Sequence, residues 1–373
     1  MAKPSIDLKK LRVFPLSHRQ SLTRLSEVLV NPDEPPPQCP PAILEKIQAC
    51  ARSIRAARHS SAAVILMYGA HLVKNGAASL VNSLMYDGWL THLATNGAGT
   101  IHDWEFAFQG QSTENVRQNV AQGMFGTWEE TGYWFHLALL GGALTNQGFG
   151  ASLGLLIEND GVVLPSVTEL ERSLRDEPAH PLAPARAELL CFMLQNHVRS
   201  GYHPVKHPWK NNSILAKAFR LNIPLTVHPG IGYDIITNHP LFNGAVIGRA
   251  GGLDFQLFCK SVNNLDNGVV LCIGSAVMAP QVFEKSMSCV NNLRLQAGEK
   301  IVSGHEIFVV DLQDNGGWDW SLGEPPKNHP AYYLRFCKSF SRMGGKMHYV
   351  QADNVVFLHN LIYELGAEED ASE

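Results

Sequence analysis

The sequence predicts an α/β fold, a doubly wound and mainly parallel six-stranded sheet carrying a helical insertion. Three observations predict it. Six short apolar runs, at 63–68, 89–95, 223–228, 268–273, 306–312 and 346–350, have the length of buried strands. Each is followed by a turn bearing glycine or an acid and then by a segment with helical spacing, the rhythm of a parallel sheet covered on both faces. A hydrophobic content of 45% against 17% charged residues supplies the core such a sheet needs.

Residues 1–60 divide into an arm and a helix. The arm, to about residue 40, is polar and broken by Pro32, Pro35, Pro36, Pro37, Pro40 and Pro41, so it is expected to wrap over the body or a neighbouring subunit. Ile43, Ile47, Cys50 and Ile54 then recur at helical spacing from Ala42 to Arg58. A single domain is expected over 61–366. It opens with a strand, Ala63 to Tyr68, and a turn at Gly69-Ala70-His71. A helix carrying Leu72, Leu80, Leu84 and Met85 leads to the second strand, which ends in Asn96-Gly97-Ala98-Gly99 before a helix from near Thr100. A glycine-rich connection of this kind brings bare N–H groups to a helix N-terminus, where phosphate is favoured. Its spacing is not G-x-G-x-x-G, and glycines also serve tight turns whatever the ligand.

Ser112-Thr113-Glu114 is placed to cap a helix through Gln122. The block 109–210 is apolar, rich in glycine and without clear strand alternation, punctuated by Pro178, Pro181 and Pro184. It reads as a helical insertion that covers the sheet or builds a subunit interface. After it, Asn211-Asn212 cap a helix, and the strand Ile223 to His228 runs into Pro229-Gly230-Ile231-Gly232-Tyr233-Asp234. Helices are expected at 254–265, 281–290, 332–343 and 354–365, alternating with the last three strands; Gly274-Ser275 and Asp353 fall at strand ends. The acidic residues at 367–373 are expected to be a disordered tail. Together these elements describe a Rossmann-like sheet, in which ligands bind beyond the carboxyl ends of the strands.

Composition excludes several classes. A formal net charge of −4 leaves no basic footprint for nucleic acid. No apolar run reaches the roughly 20 residues of a membrane helix, and MAKPSIDLKKLRV has no signal-peptide h-region. Seven scattered cysteines without a C-x-x-C pair read as reduced thiols of a cytoplasmic protein. Among sixteen histidines none has a spacing such as H-E-x-x-H, so no metal is expected.

The stretch from Tyr68 to Glu105 resembles the first nucleotide-binding unit of deoxyhypusine synthases. Thr95-Asn96-Gly97-Ala98-Gly99-Thr100-Ile101-His102-Asp103 stands where that family has Thr-Thr-Ala-Gly-Gly-Val-Glu-Glu-Asp. The segment from Ser213 to Asp234, with His239 five residues on, is similar to the family's approach to its substrate-binding histidine. Ile273-Gly274-Ser275-Ala276-Val277 is similar to its Leu-Gly-Gly-Gly-Val turn, and Ala352-Asp353 to its last cofactor contact. The resemblance implies NAD, with contacts from Gly69, Ala70, His71, Asn96, Gly97, Ala98, Gly99, Gly274, Ser275 and Asp353. It further implies a homo-oligomer, a tetramer in that family, and oxidation of an amine followed by aminoalkyl transfer. The family's transfer lysine follows Trp-Gly; here Lys346 follows Gly344-Gly345. Asn96 with His102-Asp103-Trp104-Glu105 also resembles the NAD-dependent ornithine cyclodeaminase domain, which implies deamination instead. Both relatives start by removing hydride from a carbon bearing an amine, so a small amine or amino acid is the expected substrate. A protein that binds NAD without catalysis is the third reading.

Catalytic roles then fall to His102, Asp103, Glu105, Asp234, His239 and Lys346. Asp103 and Glu105 lie in an early helical turn, where the dipole stabilises carboxylates in any protein. Asp234 either caps Ile235-Ile236-Thr237 or holds a substrate amine. Histidine titrates near neutrality and can serve as a base. Lys74 and Lys346 are the lysines nearest the expected strand ends.

Overall fold

The computed structural model describes residues 6–367, so the expected acidic tail from Glu368 onward lies outside the described residues. The six expected strands form one parallel sheet: β1 (Val64–Tyr68), β2 (His92–Thr95), β3 (Leu225–Val227), β4 (Val269–Ile273), β5 (Glu306–Asp311) and β6 (Lys346–Gln351). Their order across the sheet is β3-β2-β1-β4-β5-β6. The chain therefore starts in the middle, winds out through β2 and β3, returns beside β1 and winds out the other way. The direction reverses between β1 and β4, which is where an open α/β sheet leaves a crevice for a ligand.

Side chains alternate across the strands and feed two cores. Val64, Leu66, Tyr68, Leu93, Leu271 and Phe308 face one of them, with α1 (Pro41–His59), α3 (Ala78–Tyr86) and, later in the chain, residues 354–366. Ile65, Met67, Val270, Val309 and Met347 face the other, under residues 244–262, 278–296 and 335–341. The connection after β1 is not one helix. α2 (Ala70–Lys74) stops before α3 because Gly76 turns left-handed at φ +80° and sits against the arm, whose Val30 N–H donates to Gly76 O at 3.1 Å. A Cβ there would lie 1.8 Å from Val28 O, so glycine is required.

The arm packs on its own chain. Leu16 and Leu25 are buried, Phe14 bridges Trp128, and Thr23–Arg24 pair with Gln111–Ser112. α4 (Gly97–Gln109) begins at Gly97 and not near Thr100, so the glycines form its first turn. Asn115, not Ser112, caps the short helix Val116–Ala121. The block that follows contains α5 (Glu129–Ala143), α6 (Phe149–Glu158), α7 (Val167–Asp176) and α8 (Ala183–Asn196). It also holds a two-stranded antiparallel ribbon, Gly161–Leu164 with Gly201–Pro204, which the sequence reading missed. Val162-Val163-Leu164 is a continuous apolar run of three residues, too short to show alternation. α6 packs on β3 and on α9 (Ile214–Arg220), which Ser213 caps, and so covers that end of the sheet. α10 (Gly244–Val262) starts ten residues earlier than the expected Asp254. α11 (Met278–Gln296), α12 (Arg335–Ser341) and α13 (Asn354–Gly366) complete the chain. Among the described residues no helix is long and apolar enough to cross a membrane.

α6 starts at Gly148-Phe149-Gly150, where no neighbouring side chain caps it. Asp254, reaching across from α10, takes that place. Its Oδ2 accepts from Gly150 N at 3.0 Å and from Val227 N at 2.7 Å, tying α6, α10 and β3 together in a dry site. A Cβ on Gly148 would lie 1.7 Å from Asp254 Oδ1. Burial pushes the Asp254 carboxyl up to about 7, against the pull of the Val227, Gly150 and Phe149 N–H donors. Asp254→Ala would orphan buried amides worth about 1–3 kcal/mol each. The expected loss is roughly 2–5 kcal/mol, read as a lower urea midpoint at unchanged slope. Asp254→Asn, which keeps an acceptor, should lose less.

Candidate active site

The registers place Val227, Thr95, Tyr68, Ile273, Val310 and Val350 in one row across the sheet. Everything the sequence reading assigned to a ligand should lie beyond that row. At the reversal point the turns after β1 and β4 touch. Gly69 N donates to Ile273 O at 3.3 Å, and a Cβ on Gly69 would lie 2.2 Å from Gly274 O. Gly274 itself has φ +59°. Two helices start here, α2 after Gly69 and the 19-residue α11 after Val277, and neither has a side-chain cap. Leu72 N donates to Gly69 O at 3.3 Å and Pro280 has no N–H, which leaves the N–H groups of Ala70, His71, Met278 and Ala279 without a side-chain cap among the described residues, a setting that suits an anion. Beside them a cavity of about 220 Å³ is lined by His71, Asn75, Gly274, Asp311 and Asp353. Asp353 also caps α13, accepting from Val355 N at 2.8 Å. Ala70 opens α2, and Ser275 is buried in the β4 turn.

The start of α4, with Asn96, Gly97, Ala98 and Gly99, is different, because it already holds side chains of this chain. The Asn96 side chain accepts from Gly99 N at 2.9 Å. Asp234 lies directly on Gly97, where a Cβ would come within 2.4 Å of its carboxyl carbon. Its carboxylate accepts from Gly230 N at 2.7 Å and from the Ala98 N–H. A protein carboxylate thus sits where a phosphate was expected. Gly97 and Gly99 are glycines because Asp234 and Thr95 leave no space for a side chain; the Cβ of Gly99 would meet Thr95 Oγ1 at 2.2 Å.

A second cavity, about 240 Å³, opens over this turn. Ala98, Ile101, His102 and Glu105 of α4 form one wall; Lys74 of α2, Glu114, Tyr233 and Asp234 form others. The sequence reading missed Arg19, which the arm inserts here. Arg19 Nη1 and Nη2 lie 2.7 and 2.8 Å from the two oxygens of Glu105, with both side chains buried. Ser112 Oγ is 2.5 Å from Glu105 Oε2 and 2.7 Å from His102 Nδ1. Burial pushes His102 down to about 4; Glu105 opposes this, while Lys74, Arg19 and His71 add to it. Burial raises Asp234 to about 6, against its two backbone donors. Asp234 and Lys74 have no ion-pair partner among the described residues.

Three expected catalytic residues lie elsewhere. Asp103 points away from the cavity and caps α9, accepting from Ser213 Oγ at 2.5 Å, Ile214 N at 2.8 Å and Leu215 N at 3.1 Å. One helical position separates it from His102, enough to turn it onto another face. His239 packs on α5, its ring stacked on His136 at 6.3 Å between centroids. Lys346 is exposed at the first position of β6, four residues below the row of strand ends. At about 3.3 Å per residue that is roughly 13 Å toward the opposite edge of the sheet.

No protein-family model and no curated protein matches this sequence. Among solved structures, AgrE in a ternary complex with ornithine and NAD+ aligns at TM-score 0.44 and 14% identity, over 90% of this chain and 34% of that one. This chain therefore spans about a third of AgrE. A conserved putative LOR/SDH protein from Methanococcus maripaludis S2 aligns at 0.43 and 14% identity, over 96% of this chain and 75% of the other. A putative deoxyhypusine synthase from Entamoeba histolytica aligns at 0.36 and 10% identity, over 82% and 76%.

The buried titratable groups set a pH dependence of stability. His92 is held at about 3, and His102, His136, His207, His228 and His239 at about 4, all chiefly by burial. Unfolded, each would titrate near 6.5. Between these values the unfolded chain binds more protons, so stability falls as pH falls from about 6.5 to 4. Asp103 and Asp234, raised to about 6, and Asp254, raised to about 7, act oppositely. Their contribution is complete below the unfolded carboxylate range and is lost as pH rises through 6–7. Six groups outweigh three, so the melting temperature should drop on acidification from pH 6.5 to 4. A level or rising profile would mean that the carboxylates dominate.

Proposed function

We propose that this protein binds NAD in the β1–β4 crevice and oxidises a small amine or amino acid held in the cavity over α4. NAD is consistent with the residues present. The uncapped starts of α2 and α11 suit a pyrophosphate, and Gly69 and Gly274 permit close backbone approach. Asp311 and Asp353 offer acceptors for ribose hydroxyls. When bound, NAD supplies the acceptor for a hydride.

The observation that carries the reading is Asp234 and Lys74, of opposite charge type and both without an ion-pair partner among the described residues, lining one cavity next to that crevice. At about 240 Å³ the cavity is smaller than sites for drug-sized ligands, roughly 300–1,000 Å³, and suits a small metabolite. In this reading Asp234 and Glu114 hold the ammonium end, and Lys74 holds a carboxylate. Ile101, Val116, Phe125 and Ile235 supply the apolar wall that limits water. Deamination is better supported than aminoalkyl transfer, because Lys346 lies at the far edge of the sheet. Transfer through Lys74, the lysine in the cavity, is the alternative.

The test is incubation with NAD and a panel of diamines and amino acids, following reduced-nicotinamide absorbance and ammonia. Ammonia release is expected; transient reduction without ammonia would favour transfer through Lys74. Silence across the panel with NAD still bound would leave a non-catalytic binder. Asp234→Asn keeps an acceptor for the Gly230 and Ala98 amides but removes the charge. It should lower kcat/KM about 10–100-fold, the worth of one charged hydrogen bond, with NAD affinity unchanged. Lys74→Met should raise KM for amino acids and spare diamines.

A further inference from the structure

The proton positions along the Arg19–Glu105–Ser112–His102 chain follow from the geometry. Glu105 accepts through both oxygens from Arg19, so the carboxylate is the acceptor at this end of the chain. The 2.5 Å contact from Ser112 Oγ to Glu105 Oε2 needs a hydrogen, and the serine has only one. Towards His102, 2.7 Å away, Ser112 Oγ therefore has only lone pairs, and Nδ1 must be the donor. Burial, with Lys74 and Arg19 nearby and opposed by Glu105, keeps the ring neutral at pH 7. A neutral ring with its hydrogen on Nδ1 leaves Nε2 bare. Nε2 has no hydrogen-bond partner among the described residues, and His102 lines the cavity.

We propose that Arg19, Glu105 and Ser112 are positioning residues that lock His102 as the Nδ1–H tautomer, so that Nε2 selects a ligand presenting an N–H donor, a primary ammonium. This rests on the reading of the cavity as an amine site and adds the group that recognises the amine. His102 is an orienting acceptor and not the base. An imidazole at about 4 faces an alkylammonium near 10, a gap of about six orders of magnitude in proton affinity. The arm is thereby part of the site, since Arg19 holds the chain of bonds from one end.

The test uses the full chain labelled with 15N-histidine, with the His102 signals identified by their loss in His102→Gln. The wild type should show protonated Nδ1 and bare Nε2, unchanged from pH 5.5 to 8, and 1,4-diaminobutane should shift Nε2 as it accepts a hydrogen bond. Ser112→Ala should let the Nε2–H form appear and weaken 1,4-diaminobutane about 10-fold; Ser112→Thr, which keeps the hydroxyl, should restore both. A protonated Nε2 in the wild type overturns the proposal whether or not the variants fold. So does a Ser112→Ala protein with tautomer and affinity unchanged. A locked tautomer and diamine binding without any NAD-linked turnover would support this role of His102 and overturn the reaction proposed above.

Discussion

Three buried carboxylates, each seated on the start of a helix from another part of the chain, hold this fold together. Asp103 of α4 caps α9, Asp234 caps α4, and Asp254 of α10 caps α6 while also binding the β3 backbone. Each is dry, and each remains raised in pKa, so desolvation is not fully offset by the donors. They are nonetheless required, because the amides they satisfy are buried too, and an orphaned amide costs more than a strained cap. The helices around the cavity are therefore keyed to one another by charge as well as by apolar packing.

That keying decides where a ligand can go. A helix start that already holds a carboxylate is less favourable for a second anion, which sets the glycines after β2 apart from the other strand ends. The starts left open, α2 and α11, stand on either side of the reversal point between β1 and β4. The result separates two tasks that the sequence reading had merged. In the function proposed above, the β1 and β4 turns face the anion, while Asp234, which comes from the turn after β3 and sits on the start of α4, faces the cation. α2 adjoins both, through His71 on one cavity and Lys74 on the other.

The six strands and their alternation with helices were legible because strands buried on both faces are written as compact apolar runs. The ends of the strands were legible too, and with them Gly69, His71, His102, Asp234, Gly274 and Asp353 as residues near a crevice. Direction was not. Periodicity places His102 and Asp103 on the same helix but cannot say which faces the cavity, and Asp103 turned out to cap a helix more than a hundred residues away. Lys346 was legible as the first residue of its strand, the end opposite the crevice, and only the resemblance to a transfer lysine drew it into the site. Arg19 left no trace at all. Its partner is Glu105, 86 residues on, and nothing local in a proline-broken arm marks one arginine from another.

The arm's backbone is held at several places, among them the Phe14–Trp128 bridge, Leu16 N donating to Glu130, and pairing with Gln111–Ser112. Arg19 lies between the last two, so its guanidinium is delivered by backbone contacts and not by its own salt bridge. This ordering matters energetically. A buried ion pair assembled from free side chains barely repays its desolvation, but here docking of the arm has already fixed the position of one partner, which lowers the entropic cost of the pair. Glu105, fixed in turn, fixes the Ser112 hydroxyl, and the hydroxyl fixes the imidazole. The cavity's polarity is thus inherited from the way residues 14–24 of the arm dock against Trp128, Glu130 and Gln111–Ser112.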